Sequence, residues 1–311
     1  MAPPFAQPVP QAFTKPLIEA NPVSIAILGI SIGCSFVIAL VLGPILDVLV
    51  GLSGIFWTAA LLSILAVPAV MILLPQANST VGTKDLQPTW PQLFREFRQI
   101  KLLSMDFGIF VLHMMLTALF VAVPFLLLEV LELPSAKHWE IYVPVLAIAV
   151  LGMLPLLRLS MKKKYTFAML RVGVVILFIA FSVLSFFPAS FVVLIVGLWL
   201  FFLAFTLLEA LMPSLMSRLA PPAAKGTAIG VYNTFHFMGI FVGGILGGWL
   251  FGIFGSSGVF IFLAFAGLVW MVLVLAVRAP DLLESRTVDL TGIEDAKVLR
   301  LIEEFRAMPG V

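Results

Sequence analysis

The sequence predicts an all-α membrane protein of eight transmembrane helices, and three observations carry that prediction. Apolar runs at residues 23–49, 55–74, 105–131, 139–159, 165–187, 190–212, 226–254 and 257–278 each come near or above the ~20 residues a helix needs to cross ~30 Å of hydrocarbon. Of the 311 residues 62% are hydrophobic and 11% charged, with a mean hydropathy of +1.17, whereas a soluble domain carries about 25% charge. The third observation is that Lys and Arg collect in alternate gaps between the runs.

That alternation sets the orientation, because basic residues close to a span resist translocation. Lys84, Arg95, Arg98 and Lys101 follow run two, Arg158 and Lys162 to Lys164 follow run four, and Arg218 and Lys225 follow run six. These gaps are expected in the cytoplasm. The gaps after runs one, five and seven hold no Lys or Arg, and the gap after run three holds Lys137 beside Glu129, Glu132 and Glu140. Lys15 ahead of run one and Arg278, Arg286, Lys297, Arg300 and Arg306 behind run eight then put both termini inside. Arg171, at the start of run five, reads as snorkelling to the cytoplasmic face.

Three segments are not spans. Residues 1–22 hold Pro3, Pro4, Pro8, Pro10, Pro16 and Pro22, which break helices and fit neither a signal peptide nor a span, so a disordered cytoplasmic lead is expected. Residues 75–104 form a cytoplasmic linker in which Leu93, Phe94, Phe97 and Ile100 recur at helical spacing, as in an amphipathic helix at the membrane surface; a plain linker is the alternative. In the tail, Val298, Leu299, Ile302 and Phe305 mark one face of a short helix that needs a partner to bury it.

Composition also excludes several functions. A net charge of +2 with scattered basic residues gives no patch for nucleic acid. The single cysteine, Cys34, leaves no disulfide framework. The sequence contains no H-E-x-x-H, G-x-S-x-G or G-x-x-x-x-G-K-[ST] pattern and no Cys/His cluster, so no catalytic residues, metal or cofactor are expected and the chain does not read as an enzyme.

Polar residues inside apolar runs are costly and are functional candidates by default. Glu209 leads them as a proton carrier, the alternative being an interfacial carboxylate paired with Arg218. Asp106 and His113 lie two turns apart on run three and share a helix face; an imidazole titrates near neutrality and suits proton exchange, though a hydrogen-bonded packing residue is the blander reading. Asp106 equally fits a helix start. On run seven, Asn233 and His236 lie within about one turn, beside Tyr232. Gly239, Gly243 and Gly247 repeat every four residues and strip one helix face to backbone, for close packing or for sliding. Gly43 and Pro44 do the same in run one, where the proline should bend the helix.

Specific stretches add a resemblance. Phe36 to Pro44, Gly51 to Trp57, Phe107 to His113, Phe201 to Leu215 and Lys225 to Tyr232 resemble the major facilitator superfamily, most closely its YajR-type group of drug/proton antiporters. The resemblance covers residues 23 to 285 and implies that runs one to eight correspond to helices 5–12 of that fold. Residues 23–74 would then be the last two helices of the N-terminal half, 105–279 the six-helix C-terminal half, and 280–311 the start of a cytoplasmic ferredoxin-like domain. It implies that runs three and six line the central cavity, near which Asp106, His113, Phe120, Pro124, Phe205 and Glu209 would lie, with Asn233 and His236 from run seven. The match departs from the group where its fifth-helix antiporter pattern survives only as Ala39, Gly43 and Pro44, with Asp47 and Val48 in place of glycines. The first four helices have no counterpart here.

The expected function is therefore proton-coupled efflux of a small amphipathic or hydrophobic solute across the bacterial inner (plasma) membrane, with the lipid bilayer, solute and protons as partners. The alternatives are a truncated product that inserts without transporting, and a membrane enzyme or assembly partner.

Overall fold

The computed structural model describes residues 22–73, 100–160, 165–186, 190–220 and 225–276. The lead, most of the 75–104 linker with its amphipathic segment, the Lys162 to Lys164 loop and the tail lie outside the described residues.

Among the described residues the structure is helical, with no strand: α1 (Pro22–Leu73), α2 (Ile100–Leu131), a 3-10 turn (Ser135–Lys137), α3 (Trp139–Ser160), α4 (Thr166–Phe186), α5 (Phe191–Leu219) and α6 (Lys225–Ala276). Six helices are long and apolar enough to cross a membrane. Hydroxyls inside them bond back to carbonyls one turn earlier, as Thr117 does to His113, Ser182 to Phe178 and Thr206 to Phe202. A span in hydrocarbon must satisfy its polar groups internally in this way.

Two of the elements are too long to be single spans. At 1.5 Å per residue, the 52 residues of α1 or of α6 would reach about 78 Å. Each is broken at one glycine, Gly51 (φ 69, ψ 177) and Gly255 (φ 64, ψ −164), in a backbone region that essentially only glycine enters. These breaks fall in the gaps read between runs one and two and between runs seven and eight. Helical pairing continues through Pro44, and the non-helical break in α1 lies at Gly51. A proline within a helix loses one hydrogen bond but keeps helical φ, whereas a positive φ interrupts the helix itself.

The chain reverses at Gly255. Before it, Gly239, Gly243 and Gly247 lie against Phe110, Met114 and Ala118 of α2 in turn, so both helices advance in the same direction. After it, Gly267 meets Met115 while Trp270 meets Gly108, so the later part runs antiparallel to α2. The single element thus contributes two opposed passes on either side of α2.

The core forms around α2 and α5. Ile109, Leu112, Met115 and Leu119 of α2, Phe201, Phe202 and Leu208 of α5, Phe181 of α4 and Phe260 and Trp270 of α6 are fully buried. The main packing partners are α6 for α2, α5 and α6 for α4, and α5 for α3. By contrast α1 touches chiefly α3 and the 3-10 turn, and no residue in the most apolar window of its Leu49–Leu73 segment is buried. At the end of α2, Glu132 adopts φ 51 and the Leu133 amide donates to the Leu127 carbonyl at 3.2 Å, a left-handed cap that turns the chain toward α3.

Candidate functional site

Three helices converge on a buried cluster of ionisable groups. His113 lies mid-way along α2 with its side chain 5% exposed. Its Nδ1 lies 3.2 Å from the Ile109 carbonyl one turn earlier. A carbonyl only accepts, so Nδ1 carries the hydrogen and, in the neutral ring, Nε2 is an open acceptor. That Nε2 lies 3.6 Å from Oε2 of Glu209 on α5, whose side chain is 28% exposed. The separation is too long for a hydrogen bond and short enough that a small movement makes one. Glu209 Oε2 is itself buried without a hydrogen-bond partner.

The third contributor is His236 of α6, whose ring stacks on His113 with centroids 3.6 Å apart and planes tilted by 34°. On the other side Phe205, one turn before Glu209, meets His113 edge-on at 5.6 Å. Glu209 is about ten residues from the end of α5 at Leu219, roughly 15 Å along the axis, so the cluster sits well inside the span. Arg218, the alternative partner for Glu209 in the sequence, is exposed on the last turn of α5.

The other sequence candidates fall at different depths. Asp106 is buried on α2, about two turns from His113. Tyr232 is buried on α6 one turn from His236, and its hydroxyl makes no hydrogen bond among the described residues. The sequence places Tyr232 within a turn of Asn233 and His236 without giving it a role; its i, i+4 spacing from His236 puts the two on one helix face. Asn233 is exposed, and Pro124 is half-buried. Arg171 is partly exposed, with its Nε enclosed in the bundle.

Phe120 belongs to a seam of rings that leads away from the cluster. Phe205 stacks on Phe201 at 5.6 Å, Phe201 meets Phe202 at 5.3 Å, and Phe120 bridges Phe202 at 6.3 Å and Tyr142 of α3 at 5.4 Å. The seam ends on His138, at the opposite end of α2 from Asp106. The glycine face of α6 lies against the α2 backbone: a Cβ at Gly239 would strike the Phe110 carbonyl, and one at Gly243 would come within 2.5 Å of the Met114 carbonyl. Around Gly43 nothing among the described residues lies within 4 Å, and the Pro44 side chain is outside them.

These features define a multi-pass helical membrane protein with an acid–imidazole cluster inside its bundle. Comparison with known proteins narrows the class. A model of the Major Facilitator Superfamily matches residues 18–244 and 210–309. The inner membrane transport protein YajR of Escherichia coli K12 is 34% identical over 288 residues, 90% of this chain and 62% of that protein. An uncharacterized transporter of Buchnera aphidicola from Acyrthosiphon pisum is 32% identical over 238 residues, 75% of this chain and 60% of its own length. The chain belongs to the Major Facilitator Superfamily and is similar to its YajR-type members. It spans a little under two thirds of the length of these relatives.

Proposed function

We propose that the chain works as a secondary transporter of the bacterial inner membrane, exporting small amphipathic or hydrophobic solutes against an inward flow of protons. The observation that carries this reading is the His113–Glu209 pair, an acid and a base 3.6 Å apart on two helices that pack around a common core. Glu209 is the more exposed member and receives the proton; His113 is the sealed member that shares it through Nε2. Phe120, Pro124, Phe205, Asn233 and His236 form the solute wall, whose rings favour apolar and aromatic cargo. Gly239, Gly243 and Gly247 let α6 slide against the α2 backbone, and Gly43 with Pro44 serve the corresponding movement in α1. Rocking of one bundle against another is the way such folds alternate access.

The test is solute-driven proton movement in liposomes containing the purified chain, read with a trapped pH dye. Glu209→Gln should abolish the signal while membrane insertion is retained; unchanged coupling removes Glu209 from the mechanism. A second reading, a chain that inserts but does not transport by itself, is supported by the exposure of the Leu49–Leu73 span. Wild-type chain that inserts and moves no protons selects it.

A further inference from the structure

The acid–imidazole pair is short of a donor when it carries no proton. With the imidazole hydrogen committed from Nδ1 to the Ile109 carbonyl, Nε2 of His113 can only accept in the neutral ring, and Oε2 of an ionised Glu209 can only accept as well. Across their 3.6 Å one proton joins them, and once it leaves two acceptors face each other. A buried carboxylate oxygen in that state needs a donor from elsewhere.

One buried donor stands near. Tyr232 is 5% exposed on α6, and its hydroxyl makes no hydrogen bond among the described residues. Tyr232, His236 and Gly239 follow at i, i+4 and i+7, one face of a helix. Gly239 presses on the Phe110 carbonyl and His236 stacks on His113, so that face looks onto α2 and the pair, while Asn233 and Thr234 are exposed. The indole of Trp199 on α5 is also unpaired, but it lies about 15 Å along the axis from Glu209. A phenylalanine would fill the Tyr232 position without leaving a hydroxyl unpaired. The hydroxyl therefore costs stability in the arrangement seen and finds its acceptor in another.

We infer that Tyr232 is a positioning residue of the proton site: its hydroxyl donates to Oε2 of Glu209 when the carboxylate has released its proton, and holds it in place for the next one. The purpose of this bond rests on the transport reading; the bond itself is tested without transport. The titratable groups that face Glu209 are His113 of α2, with Asp106 two turns along the same face, and Tyr232 and His236 of α6. Helices α3 and α4 meet this part of α5 through apolar residues such as Met153, Leu156 and Met169, and Arg171 is the one charged residue within α4.

The experiment records alkaline-minus-acid infrared difference spectra of the full chain in lipid bilayers. The Glu209 carboxyl band is the one lost in Glu209→Gln, and the Tyr232 phenol band the one lost in Tyr232→Phe; ring-deuterated tyrosine confines the second to Tyr142, Tyr165 and Tyr232. In wild type the phenol band should shift as the carboxyl band disappears. It should stay fixed in Glu209→Gln and still shift in Asp106→Asn. Should Glu209→Gln fail to insert, Glu209→Asp, which withdraws the carboxylate by one methylene, should weaken the shift. In the acid buffer Tyr232→Phe should unfold at no lower temperature than wild type, yet it should lower solute-driven proton movement about tenfold, the loss expected of one charge-assisted hydrogen bond. A phenol band that does not shift in wild type, or a shift that survives Glu209→Gln, overturns the inference. So does a shift lost in Asp106→Asn, which assigns Tyr232 to Asp106, and so does a lower unfolding temperature for Tyr232→Phe, the mark of a packing role. Wild type that moves no protons while the two bands change together refutes transport and keeps the pair.

Discussion

Nε2 of His113 and Oε2 of Glu209 face each other across 3.6 Å between α2 and α5, while the other imidazole nitrogen is committed to the Ile109 carbonyl. One proton fits between them, and only one. If they act as a unit, their mutational effects should not add. His113→Phe keeps a ring against Phe205 and His236 and deletes Nε2; it and Glu209→Gln should each lower proton-coupled transport by at least about tenfold, with the double variant no worse than the more damaging single one. Rates in proteoliposomes measure this, and losses that multiply would show the two residues acting separately.

The stacking of His236 on His113 at 3.6 Å leaves room for at most one positive charge between the two rings, because two unit charges at that distance repel by about 4–5 kcal/mol at an effective dielectric of 20. A fixed cation at position 236 should therefore be worse than a neutral ring. His236→Lys is expected to suppress transport more than His236→Phe. Equal losses would mean that position 236 matters through shape alone.

Much of this fold was legible in the sequence, because a bilayer imposes span length and backbone satisfaction. The gaps at residues 50–54 and 255–256 were visible as interruptions in apolar runs, although not as single glycines in an extended, positive-φ conformation. Helix α2 begins at Ile100, inside the stretch read as linker, since Ile100 and Leu102 to Leu103 are apolar enough to extend the span past Lys101 and Ser104. Glu209, His113 and His236 were each visible as polar residues in apolar runs. Their meeting was not, because it depends on the facing of three helices that are far apart in sequence.

The glycine face of α6 permits a direct contrast. A methyl at Gly243 would come within 2.5 Å of the Met114 carbonyl, whereas nothing lies within 4 Å of one at Gly248. Gly243→Ala should destabilise the bundle by about 1–3 kcal/mol through overpacking against backbone, and Gly248→Ala should be neutral or stabilising by up to about 1 kcal/mol. Thermal unfolding midpoints in detergent, followed by circular dichroism, would separate them. Similar midpoints would mean that α6 does not press on α2 as closely as the structure places it.

Gly255 is where α6 reverses, and its φ of 64 with ψ of −164 sets it apart from the left-handed helical region that Asn also tolerates. Any side chain there should strain the turn by about 1–3 kcal/mol, and Asn should rescue Ala poorly. Gly252, three residues earlier in regular helix with nothing within 4 Å of its Cβ position, should accept Ala without loss. Gly51 has the same kind of backbone, but no residue in the most apolar window of the Leu49–Leu73 segment is buried, so Gly51→Ala should shift the main unfolding midpoint less than Gly255→Ala. The order of midpoints expected is Gly252→Ala highest, then Gly51→Ala, then Gly255→Ala with Gly255→Asn beside it. A Gly255→Asn variant as stable as wild type would place the reversal in the ordinary left-handed region, and a Gly255→Ala variant as stable as Gly252→Ala would remove the glycine requirement altogether.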